Sequence, residues 1–399
     1  MFETTKDQGQ NTEEVITSPD GLPRPPRKTP RKTQPSERIE RRRPSRGRFL
    51  GPAALLFVVA AACSLIWAHG ALSKPTTHPE DRVVTIDPGI GTHAIIARLT
   101  QAGIVHRPRV LEAYLFVTRS NRRLQAGDYK FPSPISSLEA IERIRRGEVF
   151  YEKVTVPEGF NRFEIADLLA AKTQKASADR FLSLMNDTGP IADIDPRARN
   201  LEGYLFPDTY SYTSRTTPEE LIRMMVKRFR EAFTPDMASR AAQENLSTQQ
   251  VVTLASIIEK EAKVDRDRPV IASVFFNRLA RGMPLAADAT FIYAAQLAHD
   301  YDNNPNQPRH RRRDSPYNTY LYPGLPPAPI ASPGKPSLEA ALYPASSDYL
   351  YYVLATADGR HKFSRTAAEH DQAVAQYHQL RDRMNAANAS PAAPGPSPK

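Results

Sequence analysis

The chain has 399 residues, 36 of them proline, a single cysteine and a formal net charge of +10. That length holds two modest folded domains plus tails. The lone Cys63 excludes a disulfide framework, and the scattered His299, His310, His361 and His370 have no HExxH or CxxC companion, which excludes an ordinarily spaced zinc site.

Residues 1–48 are expected to form a disordered basic tail. Positions 21–48 carry eleven Lys/Arg against Glu37 and Glu40, with six prolines among them. Such a segment cannot bury a core. Residues 49–69 follow with no Asp, Glu, Lys or Arg. At about 1.5 Å per residue this run can just cross a hydrocarbon core of ~30 Å. Trp67 sits at its far end, where interfacial aromatics are common. The arginines precede the span, so the expectation is a single transmembrane helix in the inner membrane. The amino terminus would be cytoplasmic and the remainder periplasmic. A cleaved signal peptide is the alternative, disfavoured by the long polar lead. Positive-inside charge accounts for the basic cluster, so nucleic-acid binding is not expected.

After a polar linker over 74–82, Val83–Ile86 reads as a strand, 92–102 as a helix and 109–119 as a second helix. Residues 127–131 read as a strand and 137–145 as a third helix. Val84-Thr-Ile86 with Gly89 and Ile95 matches Val154-Thr-Val156 with Gly159 and Ile165 at a constant offset of 70. This is a βα unit used twice. Leu201–Tyr210 places Glu202, Tyr204, Phe206 and Asp208 between Gly203 and Pro207. Ring faces beside hydrogen-bonding groups suit a carbohydrate surface, and a turn filled by core aromatics explains them equally well.

Val251–Ala262 reads as a helix capped by Ser247, with Gln250 in capping-box spacing. Val251, Val252, Ala255, Ile258 and Ala262 form one apolar stripe at about 100° per residue. Glu259 falls inside the stripe, Glu261 at its margin, and Lys260 points away. A carboxylate among aliphatic side chains is costly to ionise, which favours the acid form that a general acid needs. A helix-edge Glu paired with Lys260 or Lys263 is the plainer alternative.

Residues 270–279 form a further helix ending in Asn277-Arg-Leu279. Residues 282–290 read as a turn and short extended segment presenting Asp288 and Thr290. The basic run 299–314 reads as a solvated loop. The proline-dense stretch 324–334 should hold Tyr317, Asn318, Thr319 and Tyr320 in a rigid groove wall. Residues 337–342 are expected to be helical, 349–354 a strand, 366–386 a closing helix and 387–399 a disordered tail.

Leu201–Tyr210, Ala255-Ser-Ile-Ile-Glu-Lys-Glu261, Asn277-Arg-Leu279 with Asp288 and Thr290, and Ser315–Tyr320 with Gly324–Ile330 occur here in order. In this the chain resembles the YceG/MltG family of endolytic murein transglycosylases. The resemblance covers about 83–386. It implies an α+β fold with a single N-terminal transmembrane helix, a small LysM-like α/β subdomain over 83–150, and a mixed α+β catalytic domain over 151–386. It also implies a membrane-anchored enzyme that cuts nascent peptidoglycan strands. The first Glu of the family's EKE motif maps onto Glu259.

A lytic transglycosylase needs one carboxyl group, because the MurNAc C6 hydroxyl attacks C1 in place of water and leaves a 1,6-anhydro end. No metal or cofactor is called for. The expected partners are glycan strands, the inner membrane and peptidoglycan synthases. The alternatives are a hydrolytic muramidase using Glu202, Asp208 or Asp288 as a second carboxylate, and a non-catalytic glycan-binding anchor that recruits synthases. The expected substrate contacts are Glu202, Tyr204, Phe206, Asp208, Asn277, Asp288, Thr290, Tyr317, Asn318, Thr319 and Tyr320, around a catalytic Glu259.

Overall fold

The computed structural model describes residues 50–389, apart from 79–80, 122–123, 305–306 and 357. The expected basic tail over 1–48 lies outside the described residues, as do 390–399. Residues 387–389 continue a helix instead of opening a tail. The chain divides into two units, 1–63 and 64–399. The described part of the first, 50–63, is helical and forms the start of α1 (Leu50–Leu72). Ala53–Leu72 is 20 residues with mean hydropathy 2.1, long and apolar enough to cross a membrane. The helix outruns the expected boundary at 69 because Ala68 and Leu72 are buried in the unit that follows.

Residues 64–399 hold two hydrophobic clusters. The smaller lobe comprises β1 (Arg82–Ile86), α2 (Thr92–Gln101), α3 (Pro108–Val117), β2 (Gly127–Phe131) and α4 (Ser137–Arg146). The strands pair antiparallel, with Val84 opposite Tyr129. Ile95, Ile96 and Leu99 recur at helical spacing and bury one face of α2. Leu111 and Leu115 do the same for α3.

The larger lobe begins with β3 (Glu152–Thr155), α5 (Arg162–Thr173) and α6 (Ala178–Leu184). β4 (Thr209–Tyr212) returns to pair antiparallel with β3. Then come α7 (Pro218–Ala232), α8 (Pro235–Gln243), α9 (Thr248–Glu261), α10 (Arg268–Ala280), α11 (Asp288–Leu297), the one-turn α12 (Pro308–Arg311) and α13 (Lys335–Leu342). The hairpin β5 (Tyr351–Leu354) and β6 (His361–Ser364) and the closing α14 (Ala367–Ala389) complete it. The two copies of the offset-70 unit share their local geometry. Each is a strand, a glycine at positive φ (Gly89 at 78°, Gly159 at 74°) and a helix.

α9 is the axis of this lobe. Ser247 and Gln250 cap it reciprocally, as their spacing predicts: the Gln250 N–H donates to Ser247 Oγ at 3.2 Å and the Ser247 N–H to Gln250 Oε1 at 2.8 Å. All residues from Val251 to Ile258 are buried, so the helix is enclosed all round and has no single apolar stripe.

Asp128 on β2 ties the lobes together. Its carboxylate accepts from Thr85 Oγ at 2.7 Å, Ser214 Oγ at 2.7 Å and the Ser214 N–H at 2.5 Å. Burial alone would raise its pKa, but these donors hold the group below its ordinary value.

Candidate active site

Three charged residues end α9, and helical rotation sends them three ways. Lys260 is exposed and donates to the Gly159 carbonyl at 3.0 Å. Glu259 turns inward, its side chain only 6% exposed. It does not lie among aliphatic groups as the helical wheel suggested. Its Oε1 lies 3.2 Å from the Arg268 guanidinium, and its Oε2 accepts the Gly334 N–H at 3.0 Å.

Glu261 faces a cleft of about 540 Å³ between the end of α9, the start of α11 and β5. Asp288, Tyr293, Tyr352, Lys263 and His361 share its walls; Glu259 does not line it. Tyr352 donates its hydroxyl to Glu261 Oε2 at 3.1 Å. Burial, assisted by the nearby charge of Asp288, pushes Glu261 up to about 7, against the partial opposition of the Tyr352 hydrogen bond. A carboxyl that keeps its proton near neutral pH, inside an open cleft, can act as a general acid. Glu261 stands two residues beyond Glu259 on the same helix end and alone of the two lines this cleft.

The cleft brings together fewer of the expected contacts than the sequence suggested. Asp288 is exposed on its wall, in the first turn of α11, and accepts the Tyr320 hydroxyl at 2.5 Å. The Arg311 guanidinium stacks 4.1 Å from the Tyr320 ring. The extended segment expected over 282–290 is therefore corrected: Asp288 and Thr290 begin a helix. Tyr317 is partly buried and lines a separate cavity of about 280 Å³ with Glu202 and Tyr204.

The remaining expected contacts are structural. Thr290 and Thr319 are buried; their hydroxyls lie 2.9 Å apart, and Thr319 Oγ accepts the Ala287 N–H at 3.1 Å. Asn277 donates to the Ser347 and Tyr349 carbonyls, both at 2.9 Å, and so fixes the approach to β5. Tyr204 is buried with its hydroxyl on Asp195 at 2.7 Å, and Phe206 is buried beneath Arg228. Asp208 pairs with Arg228 at 2.6 Å, and that hydrogen bond lowers its pKa. The aromatics of Leu201–Tyr210 fill a core turn, which is the second of the two readings that segment allowed. The basic loop is not simply solvated either: His310 is buried and its Nε2 lies 3.0 Å from Asp302.

Asn318 is fully buried. It donates to the Arg311 and Arg313 carbonyls, both at 2.9 Å, and accepts the Tyr320 N–H at 3.1 Å. It is scaffold, not groove surface. Asn318→Ala leaves the part-buried carbonyls of Arg311 and Arg313 and the Tyr320 N–H short of a partner, a cost of about 1–3 kcal/mol. Thermal unfolding should show a clear drop in Tm; an unchanged Tm would return Asn318 to the groove.

Glu202 is buried in the wall of that second cavity. It accepts the Arg162 N–H at 3.1 and 3.2 Å and the Tyr293 hydroxyl at 2.8 Å. Burial pushes it up to about 7. An acid whose folded pKa exceeds its unfolded value binds its proton more tightly when folded. Its contribution to stability is complete below the ordinary 4.5 and is lost as pH rises through about 7. The loss amounts to about 3 kcal/mol. Glu202→Gln should therefore flatten the pH dependence of denaturant unfolding between those limits. A profile identical to wild type would show that Glu202 is ionised at no such cost.

The expected contacts did not include Glu261 or the two tyrosines that bond the buried carboxyls, Tyr352 on Glu261 and Tyr293 on Glu202. The wheel had placed Glu261 at the margin of the stripe, which was a usable signal. Nothing local announces Tyr352, whose partner lies 91 residues away.

A family model described as the YceG-like family matches residues 84–376. The chain is 32% identical over 318 residues to a Bacillus subtilis (strain 168) protein named endolytic murein transglycosylase, covering 74% of this chain and 84% of that one. It is 30% identical over 327 residues to a protein of the same name from Streptococcus pneumoniae serotype 2. That match covers 74% of this chain and 58% of the relative, so the chain spans less than two thirds of that protein's length. It is also similar to the 2.6 Å crystal structure of a yceG-like protein from Listeria monocytogenes, with TM-score 0.51 and 30% identity, covering 74% of this chain and 99% of that one.

Proposed function

As this chain belongs to the YceG-like family, we propose that it is a membrane-anchored lytic murein transglycosylase that cuts nascent peptidoglycan strands and so ends their elongation. The observation that carries this reading is Glu261, a carboxyl in the cleft whose acid form is favoured by burial. Glu261 protonates the oxygen joining MurNAc C1 to GlcNAc, and the C1–O bond breaks. The same carboxylate then takes the proton of the MurNAc C6 hydroxyl as that oxygen bonds to C1. The acid is regenerated and the product ends in 1,6-anhydro-MurNAc. No water is consumed, and the intramolecular attack supplies its own effective concentration.

The resemblance assigned the acid to Glu259, whereas the geometry favours Glu261. One feature favours the hydrolytic alternative: Asp288 lies on the same cleft and gives it a second carboxylate. Mass spectrometry of glycan strands treated with the purified full chain separates the readings. Anhydro ends support the lytic enzyme, reducing ends the muramidase, and uncut strands a glycan-binding anchor for synthases.

The smaller lobe runs β1–α2–α3–β2 around one antiparallel pair. That order supports a LysM-like role in holding the strand before it reaches the cleft. α1 supports anchoring in the inner membrane, with the amino terminus cytoplasmic and the lobes periplasmic. Reporter fusions at Pro35 and Lys399 should then report opposite compartments; matching compartments would end the anchor reading.

A further inference from the structure

Resting on the assignment of Glu261 as the acid, we infer that Glu259 and Arg268 are a positioning pair that sets the direction of Glu261. α9 ends abruptly at Glu261. Ala262 follows in an extended conformation (φ −69°, ψ 128°), with no left-handed glycine to close the last turn. Terminal helical turns fray unless something ties them down.

The ties here come from the side chains just before the acid. Glu259 spans two separate segments, with one oxygen on Arg268 of α10 and the other on the Gly334 N–H ahead of α13. Lys260 ties the same turn to Gly159 after β3. Arg268 is itself clamped: its Nε lies 3.3 Å from Asp265, its Nη1 donates to Ser337 Oγ at 3.2 Å, and the residue is 7% exposed. Glu158 approaches the same guanidinium at 4.0 Å. Glu259 does not line the cleft, nor do its partners Arg268 and Gly334, so its influence on the reaction passes through the backbone to Glu261.

A small misplacement of a catalytic group costs up to about 100-fold in rate. The full chain is assayed on isolated glycan strands, well below its melting temperature, as Glu259→Gln, Glu259→Asp, Arg268→Lys and Phe181→Leu. Phe181 is a buried residue of α6, which packs on α5 and α7, and its variant serves as a control for destabilisation alone. The expected result is a fall in kcat of about 10–100-fold for Glu259→Gln and Arg268→Lys, with KM held within about twofold. Glu259→Asp, which keeps the charge, should recover part of the loss. Phe181→Leu should lower Tm and leave kcat alone. Wild-type kcat in folded Glu259→Gln overturns the inference, as does an equal loss in Phe181→Leu or an Asp variant no better than Gln. A loss beyond about 1,000-fold in Glu259→Gln overturns it too, because that is the scale of removing the acid itself. The underlying assignment fails separately, if Glu261→Gln still cleaves.

Discussion

Glu261→Gln should reduce formation of anhydro ends by at least about 1,000-fold, while the protein stays folded. Gln occupies the same volume and still accepts from Tyr352, but it has no proton to give the leaving oxygen. The wild-type rate should also carry the signature of this group. With Glu261 as the proposed acid, its protonated form is the active one, so kcat/KM should fall as pH rises through about 7. Glu202 titrates in the same range but lines the separate cavity of about 280 Å³ and not the cleft. Glu202→Gln should therefore keep the alkaline limb of the activity profile. Survival of cleavage in Glu261→Gln together with its loss in Glu259→Gln would move the acid back to the first carboxyl.

The second large effect is expected at Gly203. It sits at φ 85° in the Leu201–Tyr210 turn, directly against α9. A Cβ there would lie 2.5 Å from Pro329 Cβ, 2.7 Å from Pro329 Cγ and 2.8 Å from Val252 Cγ1. None of these is the loose end of a long side chain. Positive φ costs an L residue about 1–2 kcal/mol, and overpacking a dense core adds about 1–3 kcal/mol. Gly203→Ala should thus lose about 2–5 kcal/mol in denaturant unfolding. Gly282 offers the comparison: its φ is 62°, but no atom lies within 4 Å of the added methyl. Gly282→Ala should lose only the conformational part, about 1 kcal/mol. Equal losses at the two sites would show that the clash relaxes freely.

The elements written in local chemistry were legible. Ser247 and Gln250 announce the start of α9, and Ile95, Ile96 and Leu99 announce one face of α2. The start of α11 was not: Ala287 stands at its N-cap with no side-chain hydrogen bond, so Asp288 looked like part of a loop. The site failed to read through for a related reason. A helical wheel gives a direction but not a neighbour. Glu259 and Glu261 differ because Arg268 arrives from α10 and Tyr352 from β5, and neither arrival leaves a trace beside the carboxylates. Polar residues among aromatics, such as Asn318 and Tyr204, look alike whether they meet a sugar or a backbone carbonyl.

The tie at Asp128 bears on how the molecule comes apart. Each lobe keeps its own hydrophobic cluster, and the seam between them carries a small set of directed polar ties: Ser214 on the Asp128 carboxylate, and Arg215 on the Ile86 carbonyl and beside Asp87. Such bonds fix orientation firmly, but each adds only about 1 kcal/mol of net cohesion. Folding of one lobe should then be only weakly coupled to folding of the other, and unfolding of residues 64–399 should depart from a single cooperative event. A calorimetric trace should resolve two endotherms. Acidification, by protonating Asp128, should widen the gap between them.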